Sequence, residues 1–261
     1  MNEVEIGCIR PPIKVHRVAT IEEVQYLEAA RVDYIGFHVD EDAFLGLDNS
    51  PFWADDRYLL LEQLPELLNS VAHARPYVEC TPEIADSVID KMLVYGVNLL
   101  QINPYLFTDD KWLEAQKKKG IEIIYGNQYV VPEDDPIFLG LINRKWLYLF
   151  GVELQIFPSE LDAWNLLSEP SLEVMQDIVT LPDLVELAKK IPLFISLNCT
   201  QENCISIKEK LSPLTIKGLS MTLSPTKYGS FHTYEIEELL EILRVLGMGS
   251  VEPQARYRSS K

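Results

Sequence analysis

The chain has 261 residues, 23 basic and 40 acidic side chains, a net charge of −17 and 47% apolar residues. That length suits one (β/α)8 barrel or two ordinary domains, and the apolar share is enough for a sizeable core. The acidic balance argues against nucleic acid or an anionic membrane as partner through a broad basic patch, while a locally basic pocket stays open.

Ile13–Val18 alternates apolar residues and reads as a strand, and Thr20, an N-cap type, opens an amphipathic helix to Ala30. Asp33 and a second apolar run, Tyr34–Val39, complete a strand–helix–strand unit. A helix over roughly 57–70 precedes a strand at Tyr77–Cys80. Thr81 and Pro82 then open a helix running to Tyr95, proline being suited to a first turn. Asn98–Asn103 is the fourth strand, and a helix over Asp109–Lys119 ends at Gly120 in the C′ position. Ile121–Tyr125 is the fifth strand, and the sixth falls near Trp146–Phe150, with an extension toward Phe157. The remaining elements are a helix at Leu181–Lys190, a strand at Pro192–Leu197, a helix at Thr200–Lys210, a strand at Ile216–Leu223 and a helix at Thr233–Leu246.

Alternating strands and helices with short joints predict a parallel sheet, and eight units favour a single closed (β/α)8 TIM barrel over residues 13–247. Residues 1–12 are expected to lead in below the barrel, and 248–261 to form a flexible polar tail. Two long loops, Asp40–Asp56 and 126–180, belong at the mouth, where Phe44, Phe52 and Trp53 form either a lid or a small satellite cluster.

No run of 18 apolar residues exists, and the acid-bearing N-terminus lacks the apolar core of a secretory signal. Cys8, Cys80, Cys199 and Cys204 form no CxxC pair, so reduced, buried thiols in a cytoplasmic protein are expected. No cofactor is expected.

The opening IKVHRVATIEEVQYLEAARVDYIGFHV resembles that of phosphoribosylanthranilate isomerase, a (β/α)8 barrel of tryptophan synthesis. That family opens V-K-I-C-G-I-T, then a helix, then a G-A-D-x-x-G-F strand. Asp56-Arg57-Tyr58 is similar to its S-x-R-Y segment, whose arginine contacts the substrate carboxylate, so the resemblance makes Arg57 the candidate for that role. Asn98–Asn103 is similar to N-x-V-Q-L-H-G, with Asn103 in place of the histidine. Leu197–Asn203 sits where the family has S-G-G-L-x-P-E-N, and Thr222–Thr226 where it has S-S-G-V-E. The resemblance covers most of residues 13–246, but its chemistry is replaced. His16 holds the place of the catalytic cysteine, and the aspartate ending the sixth strand aligns near Leu149 or Phe150. The glycines that let backbone N–H groups close on phosphate are Asn198-Cys199 and Ser224-Pro225, and Pro225 has no N–H. The resemblance therefore implies the fold without the isomerase activity. It also implies a weakened or absent phosphate site, unless hydroxyls and Lys227 substitute.

Side chains alternate along a barrel strand, so His16 inward brings Lys14 inward one layer deeper. The same parity turns Gly36, His38, Gln101 and Asn103 inward, with Glu79 and Asn198 at strand ends and Arg57 reaching over from its loop. His16 and His38 are the candidate catalytic pair, and Arg57, Gln101, Asn103 and Asn198 the candidate ligand contacts. Three readings compete: acid/base catalysis by His16 on a small sugar phosphate or carboxylate, a divalent metal on His16, His38 and Glu79, and a hydrogen-bonded remnant in a barrel that binds or scaffolds without catalysis. No HxH or HExxH spacing supports the metal, and none is expected. Lys14 is either a Schiff-base lysine or a structural ion-pair partner. The partner would be a small anionic ligand or a protein, with Glu133-Asp134-Asp135 either meeting a basic protein or simply solvated.

Overall fold

In the computed structural model, eight parallel strands close on themselves: β1 (Ile13–His16), β2 (Tyr34–His38), β3 (Arg75–Cys80), β4 (Leu99–Ile102), β5 (Glu122–Val130), β6 (Gly151–Ile156), β7 (Leu193–Ser196) and β8 (Gly218–Leu223). Each pairs with the next, and β8 pairs back to β1 from Ile13↔Leu219 to His16↔Thr222. This is a single (β/α)8 TIM barrel. The structure describes residues 10–39, 57–80, 85–102, 110–130, 148–156, 164, 180–224 and 233–248, with residues 127–130 in backbone only.

The described helices are α1 (Ile21–Ala29), α2 (Leu64–Leu68, preceded by a 3-10 turn at Leu61–Gln63), α3 (Ala85–Val94), α4 (Asp110–Lys118), α5 (Leu181–Ala188), α6 (Cys204–Leu211) and α7 (Ile236–Val245). None is long and apolar enough to cross a membrane. α1 starts where Thr20 predicts: Glu23 N–H donates to Thr20 Oγ1 at 3.2 Å, and Glu23 Oε2 accepts from the Thr20 N–H at 3.3 Å. This reciprocal cap satisfies two of the donors that a helix start leaves open. Its buried stripe, Val24 and Leu27, joins the layer between helices and sheet, which also takes Ile13, Val15, Ile35 and Phe37.

Inside the barrel the lower half is a separate apolar plug of Tyr77, Leu99, Ile124 and Phe194, with Tyr34 and Phe150 packed against it. Gly36 makes the plug possible, because a Cβ there would overlap the Tyr77 ring. At the lower rim Arg10 pairs with Asp33 at 2.6 Å, and the Ile13 N–H donates to the same carboxylate at 2.8 Å. The first nine residues and those after Met248 lie outside the described residues.

Several boundaries differ from the sequence expectation: β1 ends at His16, β8 begins at Gly218 and α6 begins at Cys204 rather than Thr200. Residues 57–60 are not helical. Leu59 instead bridges Val39, and Pro65, which has no N–H to give a helix interior, sits in the first turn of α2. β5 runs on to Val130, past a register shift between Tyr125 and Gln128. β6 begins at Gly151 rather than near Trp146; Phe150 sits below it, against Phe194. Thr233–Tyr234 is not helical but forms a ninth strand, β9, along β8, as its β-branched and aromatic side chains favour.

Candidate functional site

The last inward residues of β1 to β4 are His16, His38, Glu79 and Gln101, in adjacent registers: His38↔Glu79 and Glu79↔Gln101. All four are buried, as are Lys14 one step below and Glu153 on β6. They sit at the C-terminal end of the strands, the end where barrels of this type carry their sites.

Lys14, His16 and Glu153 form the centre. Lys14 Nζ lies 2.9 Å from Glu153 Oε2, 2.7 Å from His16 Nε2 and 3.3 Å from Ser220 Oγ. His16 Nε2 lies 2.8 Å from Glu153 Oε1 and 2.7 Å from Ser220 Oγ, while its Nδ1 faces Glu79 Oε2 at 3.3 Å. The arrangement limits the protons. A charged lysine has only donors and needs the Nε2 lone pair; Glu153 needs a proton on the same nitrogen. The pair therefore holds either a neutral imidazole with an ammonium or an imidazolium with a neutral amine. One proton separates these states without changing the charge of the pair.

Burial opposes the charge on Glu153, but His16, Lys14 and the His16 hydrogen bond outweigh it and hold the carboxyl at about 2. Glu79 follows the same pattern: burial opposes its charge, and His38, the His16 hydrogen bond and Arg17 hold it well below the usual carboxylate range. Burial pulls the Lys14 ammonium below its ordinary range against the attraction of Glu153. Both carboxylates are thus ionised at neutral pH. Around them, the Tyr77 ring meets His16 edge-on at 5.7 Å and lies 4.8 Å from Lys14 Nζ, while the Tyr58 ring meets His38 at 4.6 Å. Among the described residues, no cluster of His, Cys, Asp or Glu has the geometry to hold a metal ion.

The sequence candidates separate. His16, His38 and Gln101 share the mouth. Arg57 lies beside α1: it pairs with Glu23 at 2.8 Å and donates to the Arg17 carbonyl at 3.2 Å. That carbonyl belongs to a residue held at φ 58°, in the left-handed region. Asn198 follows β7, and its carbonyl accepts from Asn203 Nδ2 at 2.8 Å. Asn103, Lys227 and the aromatic loop residues Phe44, Phe52 and Trp53 lie outside the described residues, as does the acidic run at Glu133.

Sequence reasoning missed Glu153, Ser220 and Tyr234. Glu153 was legible in Gly-Val-Glu-Leu-Gln-Ile, where Val152, Leu154 and Ile156 take one face and Glu153 the other; starting the strand at Trp146 hid it. Tyr234 lies in a segment read as helix. Its hydroxyl accepts from the Cys199 N–H at 2.9 Å and lies 3.3 Å from the Leu197 carbonyl. The Thr200 N–H donates to Asn203 Oδ1 at 2.7 Å, and the Ser224 N–H to the Tyr234 carbonyl at 3.0 Å.

No family model and no curated protein sequence matches the chain. Solved structures do. N-(5'-phosphoribosyl)anthranilate isomerase from Pyrococcus furiosus aligns over 91% of this chain and 98% of its own, at 15% identity and a TM-score of 0.57. The fold is that of the phosphoribosylanthranilate isomerases. TrpF from Jonesia denitrificans covers 90% of this chain and 96% of its own, at 14% identity and a TM-score of 0.56. A phosphoribosyl anthranilate isomerase in complex with reduced 1-(o-carboxyphenylamino)-1-deoxyribulose 5-phosphate covers 91% of this chain and 100% of its own, at 11% identity and a TM-score of 0.60. At these identities the likeness is one of fold.

Proposed function

We propose that this chain is a divergent barrel on the phosphoribosylanthranilate isomerase scaffold that does not catalyse that isomerisation and acts as a binding or scaffold protein. One observation carries the reading: among the described residues after β7 and β8, the backbone N–H groups of Cys199, Thr200 and Ser224 are already used. Phosphate-binding barrels turn such N–H groups toward the ligand. Here Cys199 N–H is taken by Tyr234, Thr200 N–H by Asn203 and Ser224 N–H by the Tyr234 backbone. The isomerase seen with a ribulose 5-phosphate derivative has a phosphate to hold; in this chain, these three donors are committed to the protein. Arg57, the counterpart of the carboxylate-binding arginine, gives its Nη1 to Glu23 and the Arg17 carbonyl, while its buried Nε has no partner. Glu153, held at about 2, is ionised at neutral pH and has no proton to give as a general acid.

Expression of this chain in a tryptophan auxotroph that lacks the isomerase tests the reading. No growth without tryptophan is expected, and growth that depends on this chain would overturn it. The described cysteines, Cys80, Cys199 and Cys204, are free thiols, which supports a reducing, cytoplasmic compartment.

The His16–Glu153 contact favours a second reading, acid/base catalysis on another small substrate. His16 would exchange the proton, with Lys14 as its reservoir and the two carboxylates fixing the imidazole. A bell-shaped rate profile lost in His16→Gln, with a substrate found by screening, is its signature.

A further inference from the structure

Among the described residues of the mouth, Gln101 has neither of its side-chain polar atoms satisfied by the protein. Its side chain has no exposed surface, and neither Nε2 nor Oε1 has a hydrogen-bond partner. Buried amides are ordinarily bonded, because a lost donor or acceptor retains its full desolvation penalty. The position is nonetheless built for this side chain. Gly126 on β5 leaves the space, since a Cβ there would overlap Gln101 Nε2. In register, Glu79 stands on one side of Gln101 and Ile124 on the other.

The chemistry of the surroundings selects the ligand. An amide offers both donors and an acceptor, so it is best met by groups that also do both. A hydroxyl does; a phosphate or carboxylate only accepts. Glu79 beside it only accepts, so the ligand must donate there. Glu79 and Glu153 both carry negative charge into the mouth, within a chain of net charge −17. The N–H groups of Cys199 and Thr200 after β7 and of Ser224 after β8 are engaged. The two carboxylates take up the positive charge of Lys14, His16 and Arg17 beside them, and the engaged N–H groups are closed to an anion.

We propose that the mouth binds an uncharged polyhydroxylated ligand, a free sugar or polyol. Gln101 exchanges hydrogen bonds with adjacent hydroxyls and Glu79 accepts from a further one. This rests on the reading of the chain as a binding protein, and it replaces the small anion expected from sequence with a neutral ligand.

Matched pairs test it with the full-length protein: ribose against ribose 5-phosphate and glucose against glucose 6-phosphate, by thermal shift and calorimetric titration. A saturable rise in Tm with a neutral member, and a smaller or absent rise with its phosphate, is expected. Gln101→Leu breaks no internal bond, so it should fold with an unchanged or higher Tm and lose the sugar-induced rise. Glu79→Gln, which keeps the size and removes the charge, should weaken the same response. A response to the phosphates alone, to none of the four compounds, or one unaltered in Gln101→Leu overturns the proposal. The auxotroph result bears only on the isomerase reading, so the two can fail separately.

Discussion

Lys14 and Glu153 form a charge pair with no exposed surface, completed by His16, with Nζ and Oε2 2.9 Å apart across the barrel interior. Removing one partner of such a pair strands the other in a medium that solvates it poorly. Glu153→Gln should therefore lose about 3–5 kcal/mol in urea unfolding, whereas the double change Lys14→Met with Glu153→Leu should recover most of that. An equal loss in the double variant would mean that packing rather than charge holds the site. The pH dependence follows from the same residue. A carboxyl held at about 2 in the fold and near its ordinary 4.5 in the open chain stabilises the fold above that ordinary value. That contribution falls away between about pH 5 and pH 2. Acid titration of stability should be steep there in the natural chain and flatter in Glu153→Gln.

Among the elements, the two-residue β9 has an effect out of proportion to its length. It extends β8 by Thr222↔Thr233 and Leu223↔Tyr234, and so brings the Tyr234 hydroxyl under the turn after β7. Tyr234→Phe keeps the ring and leaves the buried Cys199 N–H without its acceptor, a loss of about 1–3 kcal/mol. In a domain of this size that is a Tm lower by about 2–4 °C per kcal/mol, readable by calorimetry. An unchanged Tm would show that the N–H finds another acceptor. α6 depends on the same corner, because its approach is fixed by Thr200 and Asn203 bonding each other in both directions.

The whole molecule carries a net charge of −17. Surplus like charge destabilises a compact state, and salt screens it over about 8–10 Å at physiological strength. The Tm should therefore rise between about 10 mM and 150 mM sodium chloride. The exposed ion pairs, such as Lys118–Glu114, pull the other way but are worth little each. A Tm that falls with salt would mean that those pairs outweigh the net repulsion. The barrel closes only when β8 meets β1, and β1 brings Lys14 to Glu153, so closure and the buried network form together.

The architecture was legible in the sequence, as was the inward parity of four residues of the candidate site. The alternation of Ile13 and Val15 with Lys14 and His16, the cap at Thr20 and the glycine after α4 are local signals. They act through backbone geometry and through which face of a strand meets the helices. That parity was enough to turn Lys14, His16, His38 and Gln101 inward. Only the tertiary structure decided what those residues meet. His16 and Glu153 are 137 positions apart, and Cys199 and Tyr234 are 35 apart. Such pairs depend on where β6 begins and on whether two residues become a strand, and a shift of one residue in a strand exchanges its faces. Arg57 meets Glu23 for the same reason: a long side chain goes to the charge that the closed barrel places nearest.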